Sequence, residues 1–547
     1  MGGLGAQPYI NARGVVNTAS FMAPSLPGGA IAQGSVFTIL GSGLGPAKAA
    51  QAGSLPLGVS LAGVSVRVFQ GTQVMSALPL YVSSSQIHAL MPSNAPLGRV
   101  SVHISYLGAI SNPAPVTVVN SSVGIFTWNA LDVSASNGNA IFKGNSFGSG
   151  PAFAHNEDFA TGGVPNSTAQ PAMPEQAVTV WGTGLGPNIG SDSILPYPAD
   201  LPVQVEVFVG GAAATLTASR RSRYPGVDNI TFLVPDSAPL GCYVPVQVRT
   251  AGATVSNTAT ISISADGSPC ADPFNPLASY VLNGGAIAEV FGVRTSTLID
   301  IGVDAPINFS NDNLFALLRA EPGGVWAFNP LVSLPPVGSC AVYNTTMNQA
   351  GGSYVLGLTQ PGGSLSAGPR LSIAAPSGTV PAPPLRDDPR FYAAPILSTI
   401  GPASGYNISA PGGADVGAFT ANMILPAAPQ WTNNTQIGMV QRSAGVTVTW
   451  QTDDAVDPIV IAGASTDAPT NSSALFLCLA SPGDGQFTAP DYVLSSLPAT
   501  RPQRALNIGV LYVGALPLQN ATSFAATGLD AGFALAVSGS AKSVSYQ

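Results

Sequence analysis

Apolar and polar residues alternate in short runs along most of the chain, as over residues 64–69 and 203–209, and glycine or proline closes each run. A period of two places successive side chains on opposite faces, so these runs predict strands with one buried face. Similar runs lie at residues 287–293, 297–303, 313–318 and 371–374, then at 445–450, 459–462, 474–478, 508–513 and 533–537. No run approaches the roughly 20 apolar residues that a membrane-spanning helix needs.

An internal repeat orders the first half. Phe37-Thr-Ile-Leu-Gly-Ser-Gly-Leu-Gly-Pro46 recurs as Val178-Thr-Val-Trp-Gly-Thr-Gly-Leu-Gly-Pro187, and Pro92-Ser-Asn-Ala-Pro-Leu-Gly98 recurs as Pro235-Asp-Ser-Ala-Pro-Leu-Gly241. Each copy then ends in a Ser-Asn pair, Ser111-Asn112 and Ser256-Asn257. Two motifs recurring in order at nearly one offset mark a duplicated domain. The glycines suit positive φ or close backbone packing, and no helix signal follows them as a nucleotide loop would require.

A strand, a G-x-G-L-G-P turn and a P-x-x-A-P-x-G turn before a final hairpin resemble the bacterial IPT/TIG immunoglobulin-like fold. They also resemble secreted soil-bacterial proteins that carry this module in tandem. The resemblance covers roughly residues 15–265. It implies extracellular β-sandwiches serving as spacers or binding modules, and it brings no shared catalytic residues.

The expected fold is all-β, tandem immunoglobulin-like β-sandwiches, two duplicated and two further. Residues 1–14 read as an N-terminal extension able to donate a strand to a neighbour. Residues 15–128 and 129–268 read as the two repeat modules, and 269–412 and 413–547 as two more sandwiches. Within the second module, residues 129–170 read as the join, with an edge strand at 139–142. The proline-rich stretch 376–395, with Arg386-Asp-Asp-Pro-Arg390, reads as a surface loop or linker.

Charge narrows the partners. Only 8% of residues are charged against 46% hydrophobic, whereas ordinary domains carry about 25% charged. Such a surface is one covered by identical neighbours or glycan, or one suited to an acidic exterior. A net charge of −8 removes the basic footprint that nucleic acid or anionic lipid would need. Cys242, Cys270, Cys340 and Cys478 form no CxxC motif, which points to two disulfides in an oxidising compartment. Of three connectivities, Cys242 with Cys270 and Cys340 with Cys478 keeps each bridge within one half. Residues 1–20 lack a basic start before an apolar core, so the expected extracellular or cell-surface location means either a leader already removed or export by another route.

Candidate chemistry is sparse, and no enzyme activity, cofactor or metal is expected. His88, His103 and His155 are the only histidines. By repeat alignment His88 falls on Thr231 and His103 on Val246, both ordinary strand positions. Gly144-Asn-Ser-Phe-Gly148 matches G-x-S-x-G but lacks the strand-to-helix elbow and the partners of a hydrolase. Asp453, Asp454 and Asp457, and His155 with Glu157 and Asp158, read as solvated acidic turns sooner than calcium ligands. N-x-S/T triplets begin at Asn120, Asn166, Asn229, Asn308, Asn344, Asn407, Asn433, Asn471 and Asn520, candidate glycosylation positions.

Two functions compete. The first is a self-assembling subunit of an extracellular filament or surface layer, joined head to tail, with the protein itself as partner. The alternative is a monomeric adhesin or carbohydrate-binding protein with glycan or a cell surface as partner. Exposed aromatics clustered at one end of a module would favour it.

Overall fold

The computed structural model describes the chain except residues 1–6, 129–130, 133–140, 143–147, 159–162, 195, 197–198, 300–306, 348–353, 357–362, 376–377, 386–387, 397–404, 468, 471 and 501–508. The fold is all-β, as the period-two runs predict, with only short helices such as Ala278–Asn283 among the described residues.

In the first repeat copy, Val36–Ser42 lies between Tyr9–Asn17 and Gln86–Leu90. Gln86–Leu90 pairs with the later half of the long strand Gln73–Val82, whose earlier half pairs with Val64–Gln70. The ladder continues through Gly98–Tyr106 and Ala114–Val119 to Ile31–Ala32. One strand thus serves two sheets, and Ile39, Val66, Ile87, Val102 and Ile104 fill the space between them. Burying such β-branched side chains supplies about 1.5–3 kcal/mol each.

The second copy repeats this order with Ala177–Thr183, Asp228–Leu233, Ala212–Arg221, Val205–Val209, Gly241–Thr250 and Ala259–Ile263. The Ser-Asn pairs close both copies with the same bonds. Asn112 accepts from Ile10 N at 2.7 Å and donates to Ile10 O at 3.0 Å, and Asn257 does the same to Ile125 at 2.8 and 3.0 Å. The repeated turn glycines serve close backbone approach: a Cβ on Gly41 would meet Tyr9 O at 2.1 Å, and one on Gly182 would meet Gly124 O at 2.4 Å.

The copies differ in their first strand. Tyr9–Asn17 is replaced by two pieces, Gly124–Ile125 and Ala154–Asn156, both paired with Ala177–Thr183. The second copy therefore opens at Gly124, ahead of the boundary read at 128/129, and the segment read as a join is an insertion within a strand. Its described part includes Leu131–Asp132 paired with Ile141–Phe142. Tyr9–Asn17 itself pairs with its own module, so Tyr9 and Ile10 of the extension read as a donated strand are already engaged there.

The chain divides into two compact units, Met1–Ala238 with Pro245–Pro269, and Pro239–Val244 with Cys270–Gln547. Within the first, the copies interlock. Val36 N donates to Thr183 Oγ1 at 2.9 Å, and Asn17 Nδ2 donates to Thr183 O at 3.4 Å. Arg221, fully buried, donates to Gly34 O and lies 3.0 Å from the buried Asp228 carboxylate.

The second unit is built on one long sheet in which strands from either side of residue 412 hydrogen-bond together. Its last strand, Ala531–Tyr546, runs parallel to Gly285–Ile299, which pairs in turn with Ile307–Glu321. The boundary read at residue 412 therefore falls inside one unit. A four-stranded sheet packs on one face of the long sheet, with Ile373, Tyr406, Ile408 and Phe419 against Val290, Leu314, Leu318 and Ala534. The proline-rich stretch supplies strands where a linker was expected: Gly378–Ala382 pairs with Leu371–Ala375, and Asp388–Ile396 with Ile307–Glu321. Tyr392 is wholly buried there and donates to Gly368 O at 2.9 Å.

Candidate functional site

The outer face of the second copy carries the main concentration of half-buried aromatic rings among the described residues of the first unit. On Ala177–Thr183, Val178 and Val180 point into the core, which leaves Thr179 and Trp181 on the opposite face. His155 pairs with Thr179, and Asn229 and Thr231 pair with Trp181 and Thr179 from the other side. Directly paired residues share a face. Phe153 O accepts from Trp181 N at 3.0 Å, which sets Phe153 beside Trp181.

The rings form a row across the strands. Trp128 and Phe153 have centroids 4.6 Å apart, Phe153 and Trp181 5.8 Å, and Trp181 and Tyr224 6.0 Å. His155 joins from the side, 5.5 Å from Phe153 and 6.2 Å from Trp181. Tyr224, on the turn before Asp228–Leu233, is 54% exposed, and the other rings are half-buried.

Polar groups accompany them. His155 Nδ1 and Asn229 Oδ1 are buried atoms with no hydrogen-bond partner in the protein. Burial holds the His155 imidazole below the usual histidine range, with Glu157 opposing that shift, so the ring is neutral near pH 7. Thr179 and Thr231 are joined by a 2.8 Å hydroxyl contact, and Arg220 is paired with Asp200 at 3.2 Å. An apolar surface with a few oriented polar groups is the composition of a binding site.

The first copy keeps the pairing of this strand with the next, Val36–Ser42 with Gln86–Leu90, and its face carries Tyr81 against His88 in place of this row. Leu40 takes the place of Trp181 and Val16 that of His155, as the matching registers show, and Gly14, at the register shift before Val15, stands in chain order where Phe153 does. The fold therefore does not require aromatics at these positions. One signal of the site was visible in the chain, the tryptophan at the fourth position of the repeated strand where the other copy has leucine.

The residues singled out in the sequence lie elsewhere, His155, Glu157 and Asn229 excepted. His88 is buried, 2.9 Å from Thr38 Oγ1, in the place that Thr231 holds in the second copy. His103 pairs with Arg67 and packs its ring 4.7 Å from Phe69. The ladder thus matches it with Arg249, which pairs with Glu206 and covers Phe208, and not with Val246. Residues 144–147 of the G-x-S-x-G motif lie outside the described residues.

The acidic turn at Asp454 satisfies itself, since Asp454 Oδ1 accepts from Val456 N and Asp457 N at 2.8 and 3.1 Å. Asp453 is exposed on that turn, and Asp158 on the second copy. No metal-binding group of three His, Cys, Asp or Glu occurs among the described residues.

Cys242 is bonded to Cys270, and Cys340 to Cys478, the latter directly opposite each other in adjacent strands. Of the glycosylation triplets, Asn120, Asn407 and Asn520 are exposed. Asn166 and Asn344 are buried, and Asn166 is spent on Ser262 and Asn156. Asn433 is committed to Trp431, Thr447 and Thr449. The side chain of Asn308 and all of Asn471 lie outside the described residues.

No family model and no curated protein matches the chain. Several solved structures are similar to it at low identity. SGBP-B from the Bacteroides ovatus mixed-linkage glucan utilization locus, solved with a heptasaccharide, is 13% identical, with a TM-score of 0.21 over 57% of this chain and 68% of that one. Domains 5–6 of the S-layer protein SbsC are 12% identical, with a TM-score of 0.16 over 47% of this chain and 99% of theirs. Titin domains I67–I69 are 9% identical, with a TM-score of 0.13 over 72% of this chain and 92% of theirs.

Proposed function

We propose that this is an extracellular surface protein that binds carbohydrate on the outer face of its second repeat module, using a scaffold of IPT/TIG-like modules. The carrying observation is the replacement of Leu40 by Trp181 on a matching ladder, and of Gly14 and Val16 by Phe153 and His155 on the first strand, which is split in the second copy. Aromatic side chains left half-exposed on a sheet that folds without them cost solubility unless they meet a ligand. Two disulfides support a location outside a reducing cytosol.

The test is affinity electrophoresis of the intact protein and of Trp181→Ala through gels containing soluble polysaccharides, with thermal unfolding to confirm the fold. Retardation that disappears in the variant supports the reading. Equal retardation of both proteins removes the site from this face.

Self-assembly into a filament or surface layer is the second reading. What favours it is an exposed apolar patch on the first module, Leu107 at 80%, Ile110 at 58% and Tyr9 at 53% exposure. Electron microscopy with mass by light scattering decides it, since a 55.0 kDa particle alone would end this reading.

A further inference from the structure

We infer that the ligand of the second module's aromatic face is a neutral, linear polysaccharide bound along its length; this rests on the carbohydrate-binding role proposed above. Three features of the face point there.

The first is its shape. Trp128, Phe153, Trp181 and Tyr224 step across a sheet surface at centroid intervals of 4.6, 5.8 and 6.0 Å. The rings stand edge-on or tilted to one another, so each presents its own apolar patch. A row of separate patches suits successive units of a chain, as stacking platforms do for other linear polymers. A single sugar would cover one ring and leave the others wet.

The second is charge. Glu157 follows His155 by two residues, and its N–H continues the same ladder by donating to Ala177 O at 2.8 Å. Its carboxylate lies close enough to raise the His155 pKa. Among the described residues, Arg220 on this face is paired with Asp200, and Arg223 stands exposed beside Tyr224 at the end of the row. A uronic acid polymer would meet Glu157 at the His155 end and only exposed, salt-screened cations at the other.

The third is hydrogen bonding. His155 Nδ1 and Asn229 Oδ1 flank Trp181 without a partner. The amide oxygen accepts, and a neutral imidazole nitrogen accepts or donates with its tautomer. A hydroxyl both donates and accepts, so it satisfies either group. Hydroxyls beside an apolar C–H face are what a pyranose chain offers. Buried polar atoms normally have partners, and these two would gain them from a sugar hydroxyl once their half-buried side chains turn toward it.

The experiment is isothermal titration of the full chain with xylan, laminarin, galactomannan and hydroxyethylcellulose as neutral polymers. Polygalacturonate and alginate serve as anionic polymers, and chitosan oligomers as cationic ones. A neutral polymer should bind, more tightly as its oligomers lengthen toward the span of the row, and unchanged between roughly 0.05 and 0.5 M salt. Trp181→Ala should weaken binding about tenfold or more. Tyr224→Ala, on an exposed turn where folding is not at stake, should also weaken it, and more for long oligomers than for short.

Trp181-dependent binding confined to polygalacturonate, alginate or chitosan, or a monosaccharide held as tightly as a long oligomer, would overturn this inference and leave the carbohydrate role standing. A neutral polymer bound equally by wild type and both variants would overturn the site itself. Binding of none of these polymers would overturn both.

Discussion

Glu289 offers a sharp test of how the second unit is held together. It is wholly buried on Gly285–Ile299, in a cluster with Arg319, Glu321 and Asn329. Arg319 lies 2.7 Å from Glu321 and 3.6 Å from Glu289, and Asn329 Nδ2 donates to both carboxylates, at 2.6 Å to Glu289 and 3.2 Å to Glu321. One guanidinium faces two carboxyls, so one carboxyl is left without a full counter-charge. Burial pushes Glu289 up to about 7 from the ordinary 4.5, with Arg319 opposing and Glu321 adding to the shift.

The folded chain thus holds a proton that the unfolded chain releases above about pH 4.5. The stability carried by the protonated form is fully present below that pH and is lost as pH rises through about 7, a loss of up to about 3 kcal/mol. Glu289→Gln keeps the acceptor facing Asn329 and is neutral at every pH. It should match the wild type near pH 4.5 and exceed it by up to about 3 kcal/mol at pH 8. Urea unfolding of both proteins at pH 4.5, 6 and 8, compared by midpoint at fixed slope, measures this. A variant with the same pH dependence as wild type would refute the reasoning, as would one less stable at pH 8. Asp272 and Asp457, each pushed up to about 6 chiefly by burial, carry the same sign, so the protein's stability maximum is expected on the acid side.

The disulfides should contribute unequally. Replacing Cys340 and Cys478 together by alanine, a loop of 138 residues, should cost about 5 kcal/mol, against about 3.5 kcal/mol for Cys242 and Cys270 across 28; thermal unfolding of the two double variants checks the order. Asp228→Ala should cost the first unit about 3–5 kcal/mol by stranding the buried Arg221 guanidinium. It also frees the Gly184 and Leu185 N–H groups that Asp228 accepts, and chemical unfolding measures the loss. Expression in a glycosylating host followed by peptide mapping should find glycan at Asn120, Asn407 or Asn520, and occupancy at Asn166 or Asn344 would contradict the burial described here.

The strands were legible because period-two patterning is local, and the duplication because Gly41 and Gly182 each allow another strand's backbone to pass where a Cβ cannot fit. Partners were not legible. Gly285–Ile299 and Ala531–Tyr546 lie far apart in the chain, and nothing in either announces that they pair in parallel and fuse what read as two sandwiches into one unit. Pieces as short as Gly124–Ile125 carry no periodicity, so the split first strand of the second copy was invisible. Proline obscured Asp388–Ile396, whose alternation of half-buried Phe391 and Ala393 with buried Tyr392 and Ala394 is nonetheless that of a strand.

The site failed to show for a different reason. Trp181 stood in the repeated motif, but Phe153 and Tyr224 lie in segments with no counterpart motif, and only the ladder brings the three together. What the copies share answers to folding: the same Ser-Asn clamp, the same glycine approach and the same strand order. A duplicated scaffold frees one copy to diverge wherever the ladder does not constrain a side chain, which is the outer face. Function in such a chain is therefore to be sought in the differences between copies at matched register, and Leu40 against Trp181 is such a position, a ring added where both strands keep the same partners.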